Sequence, residues 1–227
     1  MIGVLFSGGK DSVFTLFHYM SKDENIGCLI TMKSENKASW MFHTPAINMV
    51  ELQAEALGLP LLIHSTKGEK EKELEDLEIA IKKAKEKYNL TGIGAGALFS
   101  QYQYDRVKRI CDSLGLDCFA PHWHKNQAEY LREILDAGFE VIITGIASQG
   151  LSKEFLGEKI DDEVFDKFLE LNKKIGFHVA GEGGEYESLV VDGPIFKKKL
   201  KLVETKKVMQ NEMTGHLEII KAELVDK

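Results

Sequence analysis

Short apolar runs alternate with amphipathic stretches along the first half of the chain. The runs at 2–6, 27–31, 61–64, 92–97 and 116–120 have the length of buried strands. Between the first two, Val13, Leu16, Phe17 and Met20 recur at i, i+3, i+4 and i+7, which gives a helix one apolar face to lay on a sheet. A second helix is predicted to open with Thr44 as N-cap and Pro45 at its first position, and to close at Gly58. A third, over 69–88, puts Leu74, Leu77, Ile81, Ala84 and Tyr88 on one face, so its dense Lys and Glu content is a solvated surface. A fourth covers 102–114. Strand, helix and strand repeating in this way predict βαβ units on a parallel sheet.

After Pro121 the texture changes. A helix over 128–137, a strand over 141–146 and a helix over 163–175 lead into a glycine-rich segment and a strand at 189–191. Apolar and polar residues then alternate over 200–208 and 217–224, the pattern of antiparallel strands with one wet face. Residues 1–125 are therefore expected to form one α/β domain and residues 126–227 a smaller α+β domain.

The net charge of −7 argues against direct nucleic-acid binding over the whole surface. Met1 runs straight into an apolar strand with no basic leader, and no apolar stretch is long enough for a membrane span, so a cytoplasmic protein is expected. Cys28, Cys111 and Cys118 form no Cys-x-x-Cys pair and read as small core residues.

Chemistry concentrates in two segments. Ser7, Gly8, Gly9, Lys10, Asp11 and Ser12 lie between the first strand and the first helix, where backbone N–H groups converge and glycine lets the chain approach a phosphate. Lys10 adds a mobile positive charge, Asp11 can help hold Mg²⁺, and Ser7 and Ser12 supply hydroxyls. The loop is not of the Walker type, because counting from Gly3 to Gly8 puts Gly9 where that motif needs lysine. The second segment, Gly181 to Ser188, carries Glu182, Glu185 and Glu187 among Gly183, Gly184 and Tyr186. Like charges this close repel unless a cation or donors face them, and the plainer reading is a solvated turn before a strand. Pro121-His122-Trp123-His124 offers two histidines but no third ligand at recognisable spacing, and reads as a packed junction. The lysines at 197–199 and 201 read as a basic edge strand.

The loop at 7–12 resembles the phosphate loop of the PP-loop, or N-type, ATP pyrophosphatases. Thr31 to Asn36, His43-Thr44, Gly96-Ala97 with Ser100, Tyr102, Gln103 and Arg106, and Glu182-Gly183-Gly184-Glu185 come after it in order; the whole set is similar to the diphthine–ammonia ligase family. The length resembles the short archaeal form rather than the larger eukaryotic members with extra C-terminal domains. The resemblance implies a Rossmann-like parallel sheet of the HUP, or adenine nucleotide alpha hydrolase-like, type with helices on both faces. It implies ATP with Mg²⁺, and amidation of diphthine on translation elongation factor 2 by ammonium through an acyl-adenylate, giving diphthamide, AMP and pyrophosphate. Lys10 and Asp11 would be catalytic, and Glu35, Asn36 and His43 would sit near the adenosine, although His43 alone reads as a helix-flanking residue. Gly96, Ser100, Tyr102, Gln103 and Arg106 would complete the ATP site, with a surface salt bridge the alternative for Arg106. Diphthine carries a trimethylammonium cation, so residues 182–187 are expected to bind it through carboxylates and the Tyr186 ring. No cysteine occupies a glutaminase position, so free ammonium is the expected nitrogen source; a homodimer is left open.

Overall fold

The apolar runs of the first half pair as five parallel strands, β1 (Ile2–Leu5), β2 (Ile26–Ser34), β3 (Leu61–Thr66), β4 (Gly92–Gly94) and β5 (Asp117–Phe119). Their order across the sheet is β3-β2-β1-β4-β5, so the chain reverses direction between β1 and β4. The computed structural model describes residues 1–34, 46–68, 72–96 and 100–227. The expected cap at Thr44 and Pro45 lies outside them; a 3₁₀ turn, Ile47–Met49, leads into α2 (Val50–Leu57). Gly58 ends α2 in the left-handed conformation at φ +70°, where a side chain would be strained.

Helices cover both faces. Val13, Phe14 and Leu16 of α1 (Lys10–Met20) and Ala54 and Leu57 of α2 pack with Val4 and Leu29. Leu77 and Ile81 of α3 (Lys72–Tyr88) and Val107 and Ile110 of α4 (Gln101–Ser113) pack with Ile30 and Ile93 on the other face. Neighbours in β2 thus point to opposite cores, which is why that strand is apolar throughout rather than alternating. Cys28 and Cys111 are buried in the second of these cores, as expected of small apolar residues.

The second half builds a separate antiparallel sheet in the order β7-β6-β9-β8. Its strands are β6 (Glu140–Ala147), β7 (Tyr186–Asp192), β8 (Lys199–Met209) and β9 (Thr214–Val225). The lysine-rich strand β8 takes an outer edge of this sheet, as the sequence suggests. Two helices accompany it. In α5 (Gln127–Asp136) the Asn126 side chain accepts from the N–H groups of Ala128 and Glu129, and in α6 (Asp162–Ile175) Asp161 accepts from Val164. His122 stacks on Phe14 with centroids 4.7 Å apart, and Trp123 lies on Tyr104 at 4.9 Å, so the His-Trp-His segment is junction packing. Among the described residues no helix is long and apolar enough to cross a membrane.

Candidate active site

The carboxyl ends of β1 and β4 meet where strand order reverses, the place where open α/β sheets bind ligands. The loop leaving β1 turns at Gly8 with φ +79°, and Gly9 enters α1 in extended conformation without a side-chain cap. The first N–H groups of α1 are therefore not consumed by a cap of its own, which suits an anion. Ser12 braces the loop from within: its hydroxyl donates to the Gly9 carbonyl at 3.0 Å and accepts from the Ser7 N–H at 3.2 Å. Gly96, just after β4, touches the same place. A Cβ there would stand 3.0 Å from the Asp11 carbonyl and 3.1 Å from the Ser12 nitrogen, so only glycine permits this approach.

Sequence alone suggests a mobile ammonium at Lys10, and the structure corrects this. The side chain is 4% exposed, its Nζ donates to Asp11 Oδ2 at 2.8 Å, and it lies 5.2 Å from the centre of the Tyr186 ring. Burial by itself would lower its pKa, but Asp11, Tyr186 and Glu182 more than offset that and hold the ammonium ionised. Asp11 Oδ1 has no hydrogen-bond partner among the described residues.

The other residues expected at the nucleotide divide. Glu35, Asn36 and His43 lie outside the described residues. The carboxyl halves of β2 and β3 border an open pocket, lined by Thr31, Lys33 and Ile63 with Asn48 of the 3₁₀ turn and Glu51 from the start of α2. Ser100 caps α4, accepting from the Gln103 N–H at 3.4 Å. Arg106 folds onto the exposed Tyr102, with its guanidinium carbon 3.2 Å from the ring centre and Nη1 donating to the Tyr102 carbonyl at 3.2 Å. The pair shares a face as its spacing suggests, and in this structure Arg106 is held locally.

The second sheet supplies the other wall. The outer edge of β7 docks on the loop at 7–12: Val190 N–H donates to the Gly8 carbonyl at 3.0 Å, and Lys10 N–H donates to Ser188 Oγ at 3.2 Å. Gln53, fully buried on α2, ties the two together by donating to the Gly8 and Val190 carbonyls at 2.9 and 2.8 Å. Neither Ser188 nor Gln53 stands out in the sequence.

This docking sorts the acidic segment. Glu185 turns back on its own loop, accepting from His178 N–H at 3.1 Å and Gly183 N–H at 2.9 Å. Tyr186 is 3% exposed, donates its hydroxyl to the Val179 carbonyl at 3.0 Å, and packs against Phe168 at 4.9 Å. From the sequence both are expected to contact a substrate cation; here Glu185 braces its loop and Tyr186 faces the core and Lys10. Glu187 is an exposed residue of β7. Partial desolvation of its carboxyl by the surrounding protein nevertheless pushes it up to about 7, opposed by Lys10 and aided by Asp11. Tyr130, which in the sequence is only one apolar position of α5, is fully buried beside Asp11 with a hydroxyl that has no hydrogen-bond partner among the described residues.

Comparison with known proteins covers both halves. The family model for the diphthamide synthase N-terminal domain matches residues 1–118, and that for the diphthamide synthase C-terminal domain matches residues 126–225. A diphthine–ammonia ligase of Bos taurus is 33% identical over 100% of this chain and 93% of its own. Those of Rattus norvegicus and Homo sapiens are 35% and 34% identical, over 88% and 92% of this chain and 81% and 84% of theirs. Among solved structures, a predicted tRNA methyltransferase subunit of Methanocaldococcus jannaschii aligns at 16% identity with a TM-score of 0.44, over 85% of this chain and 97% of that one. A likeness that low fixes neither fold nor activity. With family models matched on both halves and relatives above 30% identity along nearly the whole length, the chain belongs to the diphthamide synthase family.

Proposed function

We propose that this protein is a diphthine–ammonia ligase that consumes ATP and releases AMP and pyrophosphate. The observation that carries this reading is the docking of β7, through Ser188 and Val190, on the loop at 7–12 in a chain related to such ligases along its full length. ATP would lie with its phosphates at residues 7–12 and its adenosine toward the pocket at the ends of β2 and β3. The diphthine carboxylate attacks the α-phosphorus, the bond to pyrophosphate breaks, and an acyl-adenylate forms. Ammonia then adds to the acyl carbon, loses a proton, and AMP leaves with the electron pair of the broken C–O bond.

The chain's own residues position and neutralise. The Lys10 N–H is held by Ser188, so the N–H groups of Gly9, Asp11 and Ser12 would face the phosphates, and Lys10 and Ser12 keep that loop in shape. Asp11, whose Oδ1 is bonded by no described residue at hydrogen-bond geometry and has the Tyr130 hydroxyl beside it, would hold Mg²⁺, which would supply charge neutralisation of the phosphate oxygens. Glu182, with Glu187 once its proton has left, would give the negative charge that a trimethylammonium group requires, since that cation has no N–H to donate. The protein substrate would be translation elongation factor 2, the nitrogen source ammonium, and the compartment the cytoplasm. Residues 1–125 would carry the nucleotide and residues 126–227 the diphthine.

Incubation with ATP, ammonium and diphthine-bearing elongation factor 2 should yield AMP and lower the mass of the factor by the one dalton that separates a carboxylic acid from its amide. Pyrophosphate release without that mass change would refute the amidation reading.

A further inference from the structure

Gln53 occupies a position that calls for explanation. It has no solvent contact, and its Oε1 has no hydrogen-bond partner among the described residues. Burying a primary amide with half of its capacity unused costs folding free energy that a methionine of similar shape would not incur. Its amide nitrogen is fully used, donating to the Gly8 carbonyl at 2.9 Å and to the Val190 carbonyl at 2.8 Å. The Gly8 carbonyl also accepts from Val190 N–H at 3.0 Å, so both of its lone pairs are committed.

A carbonyl held in this way fixes the N–H of the same peptide, because in a trans peptide the two point in opposite directions. Clasping the Gly8 carbonyl against α2 and β7 turns the Gly9 N–H to the far side, toward the loop interior. Its contact there is long, 3.5 Å to Ser7 Oγ, and open to exchange for a stronger acceptor. The clasp also leaves no room for another residue at Gly8, where a Cβ would lie 2.0 Å from Gln53 Oε1.

We propose that Gln53 is a positioning residue that presets the Gly8–Gly9 peptide for the β and γ phosphates of ATP by fastening it to the strand of the substrate side. The inference rests on the assignment of residues 7–12 as the phosphate loop. Gln53→Met keeps the length and removes both donors, while Gln53→Glu keeps the shape and at most one donor. Calorimetric titration of each folded variant with ATP and with AMP, which lacks the β and γ phosphates, separates the possibilities.

ATP should bind about tenfold or more weakly to Gln53→Met, the scale of one lost hydrogen bond to a charged group, while AMP affinity changes less than about twofold. In turnover the KM for ATP should rise and the KM for ammonium stay as it is. Gln53→Glu should fall between this variant and the parent, and it carries the same comparison if Gln53→Met does not fold. Unchanged ATP affinity in the variants overturns the proposal, and so does equal weakening of ATP and AMP, which would make the amide a support of the whole pocket. Absence of ATP binding by the parent protein would instead overturn the phosphate-loop assignment itself.

Discussion

At Lys10 and Asp11 one ion pair joins a buried ammonium to the residue proposed to hold Mg²⁺. Lys10 is 4% exposed and its partner 28%, so removing Asp11 strands an ammonium inside protein, whereas removing Lys10 leaves a carboxylate that water still reaches. Asp11→Ala should therefore lose activity and also lower stability by on the order of a few kcal/mol, while Lys10→Met, which keeps the stem packed, should lose activity with little change in stability. Thermal melts beside AMP release check this; equal melting of the two variants would contradict the buried pairing. Glu187 responds to pH in the opposite sense from an ion-paired carboxylate. Its pKa is raised from 4.5 to about 7, chiefly by desolvation of the carboxyl group although the residue as a whole is exposed, with Lys10 opposing and Asp11 adding. The folded state thus holds a proton that the unfolded chain has already released, and stability falls as pH rises from about 4.5 through about 7. Relative to the parent, Glu187→Gln should show no melting advantage below that window, a growing one across it and a constant one above. A difference that does not vary with pH would show that the Glu187 carboxyl is not desolvated.

Between elements, the approach of the loops after β1 and β4 decides whether the phosphate site can close. Gly96→Ala would push a methyl group to 3.0 Å from the Asp11 backbone, where no flexible side chain can yield. Overpacking of this kind costs about 1–3 kcal/mol, and the KM for ATP should rise severalfold with the KM for ammonium unchanged; unaltered ATP use would show that the two loops separate freely. The elements themselves are legible where periodicity is strong: the faces of α1 and α3 and the antiparallel tail come straight from their apolar spacing. The strand β7 begins at Tyr186, ahead of the apolar run at 189–191, because Tyr186 and Ser188 flank a glutamate and come after two glycines, which hides the alternation. Its docking leaves no trace at all in the sequence, since it uses backbone N–H and C=O groups that every sequence possesses. Gln53 reads as an ordinary helical polar position, and its burial becomes visible only once the edge of β7 lies against α2. The turn of Glu185 back onto its own loop and of Tyr186 toward the core escapes the sequence for the same reason: composition tells that carboxylates and a ring are near one another, not which way they turn.

For the molecule as a whole, two sheets do not mean two independent units. Phe14 and Phe17 of the first half meet Phe139 of the second at 6.1 and 5.3 Å, and Phe14 meets Tyr130 at 5.6 Å, within one continuous apolar core. Aromatic groups carry large buried areas, so separating the halves would expose much of the apolar face of α1 to water. The edge of β7 would also lose its partners in the phosphate loop. Calorimetry should accordingly show a single unfolding transition, with van't Hoff and calorimetric enthalpies in agreement, despite the two layers of different architecture. ATP, binding only the folded form, should move that one transition upward as a unit, by an amount that grows with the logarithm of its concentration. Two resolved transitions, with ATP raising only one of them, would mean that the aromatic junction does not couple the halves, and that substrate could be held by the second sheet with the phosphate loop unformed.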